Sequence, residues 1–118
     1  MSRIFTTSVA SVYPHYVTKV VKKGRSTREL DAVIGWLTGF DSSQLQGLLD
    51  QGATFEEFFA QAQINPHAHL VTGTICGIRI EEIEEPLMYR IRILDKLVDE
   101  LARGRPLEKI LRSPAEEK

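Results

Sequence analysis

Three short signatures punctuate the middle of this chain: Ser26-Thr27-Arg28-Glu29, Asp41-Ser42-Ser43-Gln44 and Thr54-Phe55-Glu56-Glu57. The first has the form of a capping box, in which a hydroxyl and a carboxylate satisfy each other's orphan backbone donors at a helix start. The other two repeat the same grammar. Glycines close the runs at Gly24, Gly39, Gly52 and Gly104, and glycine readily takes the left-handed conformation in which helices end. Between these marks the apolar residues keep helical spacing. Leu30, Val33, Ile34 and Leu37 form one stripe, Leu45, Leu48 and Leu49 a second, and Phe55, Phe58 and Phe59 a third. Trp36 points about 100° away from its stripe and so meets a different element or solvent.

The flanking segments extend the pattern. Ser11 is expected to cap a first helix reaching Lys23, with Pro14 tolerated in its first turn because the donors there lack partners anyway. Val12, Tyr13, Tyr16, Val17, Val20 and Val21 share one side of that helix, and His15, Lys19 and Lys22 the other. Asn65-Pro66 opens a turn or one short helical turn reaching Gly73. Residues 74–85 read as helix or irregular chain, since the β-branched run Thr74–Ile80 has no second convincing strand to pair with. Pro86 at a first helical position opens the longest helix, which runs to Arg103. Its apolar side carries Leu87, Ile91, Leu94, Val98 and Leu101. On the other side Arg92 can pair with Asp95, and Lys96 with Asp99 and Glu100. Pro106–Leu111 should pack down as a terminal turn. Residues 1–112 thus form a single helical domain and residues 113–118 a frayed tail. The fold class is all-α, a compact bundle of about five to seven short helices at steep angles, the longest near the C-terminus.

Composition bounds what such a bundle can be. At 118 residues and 42% hydrophobic, the chain can build one core without staples. Its single cysteine, Cys76, rules out an intramolecular disulfide and suits a reducing compartment. The first residues lack the apolar run of a secretory signal, and no stretch reaches the roughly 18 apolar residues of a membrane span. A cytoplasmic location is the expectation.

Candidate chemistry is sparse. His67 and His69 could suggest a metal, but two residues apart on a helix their rings diverge by about 200° and no third ligand follows at fixed spacing. Cys76 lies among Ile75, Ile78 and Ile80, where burial explains it better than nucleophilic catalysis. Glu81, Glu82, Glu84 and Glu85 could bind a cation or a basic partner, but they stand just before a helix, where acids complement the positive end of the dipole, and that structural reading is the stronger. There is no phosphate loop, nucleophile elbow, HExxH or dinucleotide fingerprint. Neither cofactor nor metal is expected.

Charge carries more information. The net charge of −1 conceals +6 over residues 1–28, −9 over residues 29–85 and +2 over residues 86–118. Such segregation suits head-to-tail self-association or internal neutralisation better than general nucleic-acid binding, and the expected partner is a second copy or another protein. The candidate partner surface comprises His15, Lys19, Lys22, Lys23, Arg25, Arg28 and Trp36. A nucleic-acid accessory role through the basic first helix is the alternative. Residues 30–38 and 42–51 do have a helix-turn-helix outline, but the second segment carries Gln44, Gln46, Asp50 and Gln51 with no Lys or Arg for phosphate. A third reading is a small enzyme with a site around Tyr13, His15 and Tyr16.

Several motifs together resemble one small bacterial family known only as a domain of unknown function (DUF twenty-two hundred). They are Arg3-Ile4-Phe5, Tyr13-Pro14-His15-Tyr16, Trp36-Leu37-Thr38-Gly39, Phe55 through Phe59, Asn65-Pro66, Cys76-Gly77, Glu81-Glu82-Ile83 and Leu94 through Leu101. The resemblance spans Arg3 to about Leu111 and implies a compact helical fold. It supplies no activity, cofactor or catalytic residue.

Overall fold

Helix α5 (Pro86–Ala102) is the axis on which most of the other helices pack. Ile91, Ile93, Leu94, Leu97, Val98 and Leu101 are all buried. They cover more of the helix circumference than the stripe a surface helix needs. The computed structural model describes residues 3–75 and 77–112; the expected tail and Cys76 lie outside them. Around α5 stand α1 (Val9–Val21), α2 (Thr27–Thr38), α3 (Ser42–Asp50), α4 (Phe55–Gln61) and the short α6 (Leu107–Ile110). Single 3₁₀ turns occupy Arg3–Thr6, Ala68–Leu70 and Ile80–Glu82. The all-α reading holds, with the longest helix near the C-terminus.

The three signatures open helices as their chemistry requires. Ser26 with Glu29, Asp41 with Gln44 and Thr54 with Glu57 each form a reciprocal capping box. Gly39 terminates α2 at φ 77°, a conformation that would strain any other residue there. The core joins Leu30, Val33, Ile34 and Leu37 of α2 to Phe55, Phe58 and Phe59 of α4 and to α5. Phe58 meets Phe59 edge-on at 5.1 Å between ring centroids, an arrangement aromatic quadrupoles favour.

Four sequence expectations are corrected. Helix α1 is capped by Ser8, whose side chain accepts from the Ser11 N–H, and not by Ser11. The cause is tertiary. Val9 N–H donates to the Ala53 carbonyl and Phe55 N–H to Thr7, clipping this strand-like start to the α3–α4 connection and burying Val9. Pro14 therefore falls inside the helix and not in its first turn; the donor it lacks would have met the Ala10 carbonyl. Second, Val21 is 51% exposed although it shares the apolar side of the wheel, because the helix ends there before another element covers it. Third, residues 74–79 form a minimal antiparallel hairpin, β1 (Thr74–Ile75) with β2 (Ile78–Arg79), turning through Gly77 at φ 78°. The strand found its partner within its own next residues. Fourth, Lys96 does not pair with Asp99 or Glu100; its ammonium donates to the Thr74 carbonyl at 3.1 Å and ties α5 to that hairpin.

Asn65 connects distant segments in a way its turn-forming reputation does not suggest. Its amide donates to the Trp36 carbonyl at 3.1 Å, its own N–H bonds the Leu37 carbonyl, and Gln63 N–H bonds that of Thr38. Helix ends leave such carbonyls orphaned, so the 62–67 segment acts as the C-terminal cap of α2. A side chain at Gly39 would meet the Gln63 carbonyl at 3.3 Å. Trp36-Leu37-Thr38-Gly39 and Asn65-Pro66 thus belong to one structural unit.

Candidate functional site

Helices α1 and α5 run side by side in the same direction. The Tyr16 hydroxyl donates to Asp95 at 2.7 Å, and one turn further along both helices Lys19 pairs with Asp99 at 3.2 Å. The C-terminal ends of the two helices therefore lie together. The N-terminal end of α5 lies about 25 Å away, the length of a 17-residue helix.

The end shared by the two C-termini is rich in cations. Arg25 turns inward: its guanidinium donates to the Leu101 carbonyl at 3.2 Å, to that of Arg105 at 2.7 Å and to Glu29 at 2.7 Å. It caps the last turn of α5, where cations also complement the dipole. That arginine and the Ser26 N–H pull the Glu29 carboxyl down to about 2. Buried Glu100 is held by Arg112 at 2.7 Å and Arg105 at 3.1 Å, and Asp99 by Lys19 and Arg103. Every one of those carboxylates already has a cation. Lys22, Lys23 and Arg28 are exposed and make no ion pair among the described residues. They form a surplus positive pole.

The sequence-predicted surface residues thus divide. Lys22, Lys23 and Arg28 remain free, Lys19 is paired and Arg25 is structural. His15 is exposed on the outer side of α1, two turns short of the pole. Trp36 is partly buried against the core and lies about 12 Å along α2 from Arg28, eight residues on. The structure does not bring Trp36 to the cations.

The opposite end carries an apolar cleft of about 450 Å³, floored by Phe5, Phe59, Pro86 and Leu87 and edged by Glu56, Glu85 and Arg90. Glu85 caps α5 by accepting from the Leu87 N–H. Glu56 and Glu84 are exposed and unpaired among the described residues. The rest of the acidic run is engaged: Arg79 faces Glu81 and Glu82, and Glu81 accepts from its own N–H and that of Gly73, which lowers its pKa. The cleft was invisible in the sequence because its walls come from three separated segments. A second cavity of about 590 Å³ lies between α2 and the start of α3, with Arg28, Asp31, Phe40 and Asp41 at its edge.

The candidate catalytic trio does not converge. Tyr13 donates to Asp31 on α2 and Tyr16 to Asp95 on α5, while His15 stands in solvent. Burial, reinforced by the facing carboxylate in each case, holds both phenols above the usual tyrosine range. Both are therefore neutral donors at ordinary pH. His67 is partly buried and His69 exposed; among the described residues no three His, Cys, Asp or Glu side chains gather as a metal would need. Nor is any described helix long and apolar enough to cross a membrane.

Comparison with known proteins places this arrangement. Residues 3–112 match the model of a family described as an uncharacterized protein conserved in bacteria, DUF2200. The chain belongs to the DUF2200 family. The crystal structure of the uncharacterized protein SP1917 is similar to it over 100% of this chain and 97% of that one, at 42% identity and a TM-score of 0.89. No curated protein matches the chain. The likeness to that crystal structure extends to the fold, and membership in DUF2200 assigns no reaction.

Proposed function

We propose that this DUF2200 protein is a non-catalytic protein-interaction module that associates with itself through opposite charge. The observation that carries the reading is the separation of unpaired charge along α5. Lys22, Lys23 and Arg28 stand free at one end of this helix, which is about 25 Å long, and at the other end Glu56 and Glu84 outnumber Arg90, which is unpaired among the described residues. Charge arranged this way cannot neutralise itself within one molecule, and complementary poles steer encounter between copies. From Ile91 to Leu101 the aliphatic side chains of α5 are buried internally, so a hydrophobic seam along that stretch of the helix gives no competing explanation. Sedimentation velocity over a dilution series at low salt tests the reading. The weight-average coefficient should rise with concentration; a constant monomer value would refute it.

Nucleic-acid contact draws on the same three cations and has less support. Helix α3, the second helix of the helix-turn-helix outline, exposes Gln44, Gln46 and Asp50 and brings no Lys or Arg, while Arg25 and Lys19 are engaged internally.

A further inference from the structure

Among the described residues Val21 and Ile78 are the exposed large hydrophobic side chains. Ile78 sits beside Arg79, whose charge faces Glu81 and Glu82. Val21 is different: it is followed directly by the free Lys22 and Lys23 at the end of α1. The end of α1 thus presents an exposed apolar side chain directly beside two free cations, a small apolar and cationic knob. The cleft at the other end of the molecule has the complementary character: an apolar floor of Phe5, Phe59 and Leu87, with Glu56, Glu85 and Arg90 on its edge and Glu84 beside Glu85 in sequence, so that acids outnumber the one cation.

We propose that copies join head to tail, the Val21-Lys22-Lys23 knob of one seated in the Phe5–Phe59–Leu87 cleft of the next. This interface rests on the self-association reading and gives it a geometry. Val21 covers apolar floor, the lysine stems lie along the cleft wall, and their ammonium groups reach Glu56 and Glu84. Because knob and cleft lie at opposite ends of α5, the contact is heterologous: each copy uses two different surfaces, and association runs on as an open chain unless a ring closes. A contact of this size is weak and concentration-dependent, since it buries well below the roughly 1,200 Å² of a stable interface.

Two exposed-site variants test this. Val21→Asp removes the knob and keeps the cleft; Ala60→Trp, at an exposed position on α4 that lines the cleft, fills the cleft and keeps the knob. Each alone should be monomeric by light scattering at low salt. Their equimolar mixture should form a 1:1 dimer, twice the 13.3 kDa chain mass, and nothing larger. Association of either variant at the wild-type level, or a mixture that stays monomeric while the wild type associates, overturns the interface and leaves self-association standing. A wild type that is monomeric under the same conditions overturns both. Far-UV circular dichroism checks folding, and Lys22→Glu with Lys23→Glu provides a second knob variant.

Discussion

Individual side chains in this fold hold together segments far apart in sequence, and their protonation should show it. Tyr16 donates to Asp95 across 79 positions, and its phenol is held above the usual tyrosine range by burial first and the Asp95 charge second. The unfolded phenol ionises near pH 10 and the folded one higher. The stability due to Tyr16 is therefore complete below about pH 10 and declines as pH rises beyond it. Tyr16→Phe should cost about 1–3 kcal/mol in urea denaturation at neutral pH and flatten the alkaline fall in Tm. Glu29 has the opposite sign. Its carboxyl is lowered from 4.5 to about 2 by Arg25, so its contribution is present above about pH 4.5 and lost as pH falls through about 2. A Glu29→Gln protein should show a shallower acid limb in Tm over that interval.

At the scale of elements, caps and stripes were legible because they are local. Ser26, Asp41 and Thr54 reach only three residues ahead, and sequence patterns of that range are set by backbone geometry. What the sequence hid was capping from a distance. Asn65 serves the end of α2, and Arg25 serves the end of α5 across 76 positions. Nothing in the composition of either segment reveals those partners. The same limit misplaced the start of α1, where a pairing with Ala53 and Phe55 decided between Ser8 and Ser11. It also concealed the 74–79 hairpin, whose two-residue strands are too short for alternation to register. Gly39→Ala should destabilise by about 1–2 kcal/mol in urea denaturation, since the left-handed backbone persists and the added methyl crowds Gln63. Arg112 binds buried Glu100 with both terminal nitrogens at 2.7 Å. Arg112→Leu should therefore cost about 3 kcal/mol, because it strands a carboxylate that Arg105 alone holds.

On the scale of the whole molecule, the sequence showed that charge was segregated but not which charges remained available. Of the five cations between Lys19 and Arg28, Arg25 became structural and Lys19 was paired, while Lys22, Lys23 and Arg28 stayed free at one pole. The cleft at the other pole needed Phe5, Phe59 and Leu87 to be assembled from three segments, which no linear pattern encodes. Polar self-association of this kind has a distinctive response to salt. At about 0.01 M ionic strength the screening length is about 30 Å, longer than the pole separation, and at about 1 M it is about 3 Å. The decisive measurement is light scattering behind size-exclusion chromatography on the wild-type chain at those two ionic strengths and equal protein concentration. Charge-driven association requires a mass above 13.3 kDa at low salt that returns to 13.3 kDa at high salt. A monomer at both, or an oligomer that persists or grows with salt, would contradict it.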